Sequence, residues 1–168
     1  MVVNMTVNGV RKKSLQAFEK EAGIRFRRLE LLNLAFCHRS YSNEHQNQTE
    51  AENNEKLEFL GDSVLGLVSA EYLFNTLPDK AEGDLAKIKS FVVSEDSLAD
   101  IALSLRINEF LLIGKGEENS GGRHKKAILA DCMEAVFGAY FLDTGFKETS
   151  RFILNLLIPE IEKVLTNR

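Results

Sequence analysis

The chain has 168 residues, of which 44% are apolar, 27% are charged and only 2 are proline. This length suits one domain with an ordinary hydrophobic core, and the composition excludes a collagen-like, low-complexity or wholly disordered chain. No run of 18 apolar residues and no signal-peptide pattern occurs, so neither a membrane span nor secretion is predicted, and the net charge of −4 is unfavourable for binding nucleic acid.

Helical periodicity and capping residues predict an all-α domain. Pro159 is expected to kink the last helix. Serine caps and glycine or proline stops mark the expected helix ends at Ser14, Gly23, Pro78, Ser94 and Gly145. The predicted helices cover residues 14–21, 29–38, 54–77, 82–93, 94–105, 124–144 and 147–165.

The segments between these helices carry weaker signals. Residues 43–52 and 114–122 are polar or glycine-rich and are predicted to be loops, and the alternation in residues 2–10 is a weak strand signal that Gly and Asn interrupt. Cys37 and Cys132 are 95 positions apart without metal-binding spacing, so we expect reduced cysteines in the core. These features fit a cytoplasmic protein.

The helix over residues 54–77 carries an acidic stripe. At about 100° per residue, Glu55, Glu58 and Asp62 fall within an arc of roughly 60°. Small residues continue the stripe, while large apolar residues gather on the opposite side. We therefore expect both sides of this helix to be buried. The small residues are Gly66, Ser69 and Ala70, and the apolar residues are Leu57, Leu60, Val64, Leu67 and Val68.

The helix over residues 124–144 repeats this arrangement. Asp131 and Glu134 are three positions apart, and Gly138 takes the place that Asp62 holds in the first helix. Large residues again form the opposite, packing side of the helix. These residues are Met133, Val136, Phe137 and Tyr140.

If the two acidic sides meet, four or five carboxylates converge, and a divalent cation is the natural compensation for their repulsion. Ligands that are all oxygen favour Mg²⁺, Mn²⁺ or Ca²⁺, and the Glu-x-x-His motif of di-iron bundles is absent from the sequence. Such a site is suited to hydrolysing a phosphodiester or a nucleotide anhydride. The alternative is that acids at this spacing form a solvated helix surface.

Several sequence blocks resemble one family. The stretch NNEKLEFLGDSVL at residues 53–65 closely resembles the signature of ribonuclease III endonuclease domains. The likeness continues in the family's order over most of the chain. The further blocks are HRSY at residues 38–41, PDKAEGDL at 78–85, LIGKGE at 112–117, KAILADCMEA at 126–135 and AYFLDTG at 139–145.

The resemblance implies a homodimeric, Mg²⁺-dependent endonuclease, with Mn²⁺ as a substitute metal, that cuts both strands of double-stranded RNA. Its products would carry 5′-phosphates, 3′-hydroxyls and short 3′ overhangs, and its substrates would include ribosomal RNA precursors and other structured transcripts. Position by position, Glu58, Asp62, Asp131 and Glu134 match the family's catalytic acids. Glu58, Asp131 and Glu134 would bind the metal directly, and Asp62 would hold water bound to it.

Other positions match the family less decisively. Glu55 and Glu82 match further acids that line the cleft, and Phe59 matches an aromatic residue inserted into the partner subunit, although ordinary core packing within one chain is an alternative. His38 has a family match, for which a structural hydrogen bond is the favoured role. Basic residues in 25–28 and 123–126 could contact the RNA backbone. For any single one of them, however, the favoured interpretation is that it forms solvated surface.

The domain organisation and two other functions complete these expectations. We expect one nuclease domain over residues 1–168, with the motifs at about 15–145 and no double-stranded-RNA-binding domain in this chain. The first alternative is an all-α Mg²⁺-dependent nucleotide pyrophosphohydrolase, whose acidic motifs sit closer together than Glu58 and Asp131 do. The second is a nuclease-like domain that binds RNA without cutting it, which the presence of all four acids disfavours.

Overall fold

The structure is a computed structural model that describes residues 7–45 and 52–167. Within these ranges it contains ten α-helices, a 3₁₀ turn at Gly122–His124 and no β-strand, so the all-α prediction is confirmed. A single parallel bridge joins Cys37 to Leu112. The helices are α1 (Gly9–Ala22), α2 (Leu29–Ala35), α3 (Arg39–Glu44), α4 (Glu55–Thr76), α5 (Glu82–Val92), α6 (Glu95–Ser104), α7 (Ile107–Phe110), α8 (Lys115–Asn119), α9 (Lys126–Thr144) and α10 (Phe146–Thr166).

Helix α9 is the centre of the core. It is apolar on nearly every side, which is typical of a helix that other helices surround. Helices α2, α4, α6 and α10 pack around it, and the predicted packing side with Met133, Val136, Phe137 and Tyr140 is buried. Cys37 and Cys132 are free and buried in the same core, as predicted.

Helices α4 and α9 cross so closely that their backbones touch. A Cβ atom placed on Gly61 would overlap the carbonyl group of Glu134 and lie 2.9 Å from the backbone nitrogen of Gly138. A Cβ atom on Gly138 would overlap the carbonyl oxygen of Leu57. The two glycines therefore interlock, and each replaces the side chain that would hold the helices apart.

The side of α4 that packs differs from the prediction. Leu57, Val64 and Val68 are buried as expected, but Leu60 is only half-buried and Leu67 is 57% exposed. The prediction that both sides are buried is wrong for Glu55, Asp62 and Ala70, which are exposed. The reason is that the buried side is centred on Gly61 and Leu65, which are rotated away from Leu60 and Leu67.

Several helix boundaries also differ. Helix α1 begins at Gly9 rather than at residue 14, because the Asn8 side chain caps it by accepting a hydrogen bond from the Arg11 backbone nitrogen at 2.8 Å. The predicted helix over 29–38 ends at Ala35, and the predicted loop over 114–122 contains α8. Helices α3 and α7 were not predicted, and α3 includes residues 43–44 of the first predicted loop.

The remaining expectations on local structure are partly outside the described residues. Residues 2–6, which carry part of the weak strand signal, lie outside the described residues. Residues 46–51 of the first predicted loop lie outside them as well. Helix α10 continues through Pro159 to Thr166, and its kink stays a prediction. Among the described residues, no helix is both long enough and apolar enough to cross a membrane.

The interlocked glycines predict opposite effects for one substitution at two positions of α4. Gly61→Ala should lower the free energy of unfolding by about 3 kcal/mol, because its methyl group collides with the α9 backbone. Gly66→Ala is the matched control, since its Cβ would meet only the Lys89 ammonium group at 3.7 Å. It should stabilise the chain by about 0.5–1 kcal/mol through helix propensity. Urea denaturation measures both, and equal effects would contradict the close crossing.

Candidate active site

The α4–α9 crossing brings the four predicted acids together as two pairs. The carboxyl groups of Glu58 and Asp131 are within hydrogen-bonding reach of each other. One helix turn further along, the carboxyl groups of Asp62 and Glu134 form the second pair. Because Gly61 lies between Glu58 and Asp62, the backbone contact at this glycine sets the spacing of both pairs.

Burial raises the pKa values of three of these acids, Glu58, Asp131 and Glu134. Burial raises the pKa of Glu134 to about 8, and the neighbouring Asp62 carboxyl adds to the shift. Burial also raises the pKa of Glu58 to about 7, with the negative charge of Asp131 as the next cause. The pKa of Asp131 is raised by burial as well. Without a cation, Glu58 and Glu134 therefore hold protons near neutral pH.

A cavity of about 370 Å³ opens over the first pair. Glu55, Glu58 and Asp131 supply its acidic side, and the opposite wall comes from residues in and around α3 and α8. The lining residues are His38, Arg39, Asn54, Glu55, Glu58, Glu117, Lys125, Ala127, Ile128 and Asp131. The cavity is therefore a cleft with one acidic side that a phosphate and its counter-ion could enter.

The acids suit a divalent cation by their chemistry. Oε2 of Glu134 is buried and has no hydrogen-bond partner among the described residues, which leaves a carboxylate oxygen available to a positive ion. The side-chain oxygens of both pairs come from carboxyl groups, the ligand type that Mg²⁺ and Mn²⁺ prefer. Within residues 7–45 and 52–167, no three His, Cys, Asp or Glu side chains form a ready-made metal cluster, so the acids stand as two pairs.

The less decisive matches fall in different places. Glu55 lines the cleft and lies 3.8 Å from the Arg39 guanidinium. Glu82 is exposed at the start of α5 and does not line this cavity. Phe59 is 78% exposed, so the alternative that it packs in the core of its own chain is wrong.

Most of the predicted basic contacts are already used within the chain. Arg123 donates hydrogen bonds to the carbonyl oxygens of Asn108 and Leu111, which holds the turn before α9. Nearby lysines and Arg28 form ion pairs with carboxylates. These pairs are Lys125 with Glu117 at 2.7 Å, Lys126 with Asp96 at 2.9 Å and Arg28 with Asp143 at 3.6 Å. These basic residues therefore stabilise the local structure, and their ion pairs offset the positive charge that they bring to this surface.

The patterns in the sequence did not predict the wall opposite the acids. The Ser40 hydroxyl accepts a hydrogen bond from the Gly114 backbone nitrogen at 2.9 Å, and the Glu44 carboxylate accepts from Lys115 and Gly116 at 2.8 and 3.2 Å. We call these contacts between α3 and the start of α8 the α3–α8 latch. Gly114 was the available signal, because a Cβ there would collide with the Ser40 carbonyl and the Glu44 carboxyl.

Comparison with known proteins decides the family. A family model described as Ribonuclease-III-like matches residues 29–161, which is most of the chain. The chain belongs to the ribonuclease III family. Ribonuclease 3 of Treponema denticola is 56% identical over 158 residues, a match that covers 94% of this chain and 63% of that protein. The chain spans about 60% of the length of the curated ribonuclease 3 relatives it matches.

Solved structures agree with this assignment. A crystal structure of the nuclease domain of ribonuclease III from Campylobacter jejuni is 41% identical, with a TM-score of 0.79, and the match covers 90% of this chain and 95% of that one. A second structure of that domain, described for flexibility in a region involved in dimer formation, is 40% identical, with a TM-score of 0.78 and coverage of 85% and 95%. The predicted resemblance and nuclease-domain fold are both confirmed.

The raised pKa values predict that stability falls as the pH rises when no divalent cation is present. The folded chain keeps protons on Glu58 and Glu134 up to about pH 7 and 8, whereas an unfolded chain releases them near 4.5. The free energy of unfolding should therefore decrease across this interval. In EDTA, the Tm should fall by a few degrees between pH 5.5 and 8.5, and Glu134→Gln should flatten the decrease.

Glu162→Gln, at an exposed position of α10, is the control and should keep the wild-type slope. Added Mg²⁺ should raise the Tm more at pH 8 than at pH 6, because protons and the cation compete for the same oxygens. A wild-type Tm that does not change with pH would contradict the burial of these acids.

Proposed function

We propose that this chain is the nuclease domain of a divalent-cation-dependent endonuclease that hydrolyses double-stranded RNA. Its products carry 5′-phosphates and 3′-hydroxyls with short 3′ overhangs, as expected for the processing of ribosomal RNA precursors and other structured transcripts in the cytoplasm. The observation that carries the proposal is the pairing of Glu58 with Asp131 and of Asp62 with Glu134 at one helix crossing beside an open cleft. Residues 1–168 form this domain, and its motifs lie at about 15–145.

Metal dependence is general in the ribonuclease III family, and Mg²⁺ is the ion we propose, with Mn²⁺ as its substitute. Glu58, Asp131 and Glu134 are the direct ligands, and Asp62 steadies the site through its contact with Glu134. When bound, the ion supplies Lewis-acid stabilisation of the charge that develops on the attacked phosphate. The unpartnered Oε2 of Glu134 supports its role as a ligand.

The charge of the cleft bears on how it meets RNA. Glu58 and Glu134 hold protons near neutral pH when no cation is bound, so the cleft repels RNA less strongly than the formal charge of −4 suggests. The cleft walls offer few unpaired cationic groups, because Arg39 lies near Glu55 and Lys125 pairs with Glu117. Contacts between the cleft and the phosphate backbone of RNA carry no base information, which suits an enzyme that recognises the shape of an A-form duplex.

An exposed apolar row on α4 supports a homodimer. Phe59, Leu67 and Phe74 are 78%, 57% and 73% exposed, and with Ser63 and Ala70 they fall within an arc of about 80° on the helix. This row, residues 59, 63, 67, 70 and 74, borders the acidic stripe directly. Large apolar groups in one exposed row are typical of a surface that a partner covers. We propose a second copy of the chain as that partner, with Phe59 in the interface.

Replacing Glu134 with glutamine tests the proposed site. Glu134→Gln should keep the Tm at pH 6 and the affinity for double-stranded RNA, but lose about hundredfold or more in the cleavage rate with Mg²⁺, because it removes ligand charge at the reacting phosphate. Glu162→Gln should cleave at the wild-type rate. Denaturing electrophoresis of a labelled duplex gives the rate and the product ends.

Substrate comparison separates the other functions. Intact duplex RNA beside hydrolysed nucleoside triphosphates would favour the pyrophosphohydrolase, and duplex RNA that is bound but not cut by the wild type would favour a non-catalytic domain. Unchanged cleavage by Glu134→Gln would show that the site is assigned wrongly.

Removing an aromatic group from the exposed row tests the dimer. Phe59→Ala should weaken self-association at least tenfold, because a buried aromatic anchor contributes about 2 kcal/mol or more to an interface. Val10→Ala is the matched control, since Val10 is an exposed apolar residue on α1, outside the row. Sedimentation equilibrium measures the dissociation constants. A wild type that stays monomeric at micromolar concentration, or equal effects of both variants, would rule out this interface.

A further inference from the structure

We propose that His38 binds the RNA strand in the cleft by donating a hydrogen bond from its Nε2–H to a non-bridging phosphate oxygen. This inference rests on the proposed function, because it gives the cleft its substrate. It assigns His38 a contact with substrate in addition to its hydrogen bonds within the chain.

His38 lines the cleft that two of the acids border. Its side chain is half-buried and lines the same cavity as Glu58 and Asp131, on the wall that α3 builds. It is also the N-cap residue of α3, so its ring is held at the helix end. The α3–α8 latch fixes that wall through Ser40 and Glu44. The imidazole is therefore presented to the cleft on a rigid support.

Hydrogen bonds around the ring assign its tautomer. The Ser40 backbone N–H donates to Nδ1 at 3.2 Å, so Nδ1 acts as an acceptor and carries no proton. The Ser40 hydroxyl lies 2.8 Å from Nδ1 and accepts from the Gly114 backbone nitrogen, so its own proton is directed to Nδ1. A neutral imidazole with an unprotonated Nδ1 carries its proton on Nε2. The ring is thus a single, oriented donor.

This donor is available, whereas the Lys125 and Asn54 side chains of the cleft wall are engaged. Lys125 pairs with Glu117 at 2.7 Å, and the Asn54 amide donates to the Ala35 carbonyl at 3.0 Å. Arg39 lies near Glu55. In the part of the chain that the structure describes, His38 Nε2 has no hydrogen-bond partner.

A neutral donor suits a cleft whose other side binds a cation. Burial lowers the pKa of His38, so the ring is uncharged at neutral pH. A lysine or arginine at this position would place a full positive charge near Asp131 and Glu55, where it would compete with the divalent ion. An uncharged N–H instead donates to a phosphate oxygen without drawing the acids away.

Two substitutions separate the contact with RNA from the capping role. His38→Asn keeps an acceptor for the Ser40 N–H and so preserves the cap, but its side chain is too short to donate from the position of Nε2. His38→Gln places an amide N–H near the position of Nε2 but loses the capping acceptor. If His38 had only a structural role, asparagine would be the better replacement. The proposal predicts instead that glutamine is the better replacement.

We expect His38→Asn to keep the wild-type Tm, to lower kcat/KM for a short RNA duplex roughly tenfold and to weaken duplex binding by a similar factor. His38→Gln should have a lower Tm but a kcat/KM and an affinity within about threefold of the wild type, measured well below its Tm. Affinity is measured with Ca²⁺ in place of Mg²⁺ and again with each substitution combined with Glu134→Gln.

The possible results are distinct. Wild-type cleavage and binding by His38→Asn, or an equal loss in both variants, would overturn the proposal for His38. A wild-type chain that does not cleave the duplex would overturn the proposed function instead. The binding measurements would then still decide on His38, since they do not require cleavage.

Discussion

The backbone contact between α4 and α9 at Gly61 and Gly138 is the constraint on which the rest of the structure depends. Two helices with ordinary side chains at their crossing lie 8–10 Å apart. Here each helix replaces the intervening side chain with hydrogen, so carboxyl groups from residues more than 70 positions apart in sequence come within reach of each other. Because α9 is buried along most of its length, the helices that surround it support this contact.

The same crossing explains the electrostatics of the site. A surface helix would leave its acids fully hydrated, but α9 carries Asp131 and Glu134 into the core, where burial is the largest cause of their raised pKa values. This arrangement costs folding free energy when no cation is present. Strongly shifted carboxyl groups in a cleft are typical of a functional site, which supports the proposed binding of a divalent cation.

Periodicity and resemblance were sufficient for the helical class, the family and the meeting of the acidic stripes. They were insufficient where close packing determines which side of a helix is buried or whether a segment is helical. Leu67 fits the apolar side of α4 by angle, yet it is exposed because the interlocked glycines rotate the buried side toward Leu65. Residues 114–122 have loop composition, but contacts from Ser40 and Glu44, more than 70 positions away, stabilise a helical turn there. No local pattern contains such partners.

The acidic stripe and the exposed apolar row lie side by side on α4, and this adjacency has a geometric consequence. When two identical surfaces associate, a two-fold axis relates them, and every group beside the contact acquires a mate on the other side of that axis. In the proposed homodimer, two sets of carboxylates would then lie on either side of that axis. An RNA duplex has a dyad of its own, so its antiparallel strands would meet equivalent chemistry at offset positions, and the offset would be a property of symmetry rather than of any single residue.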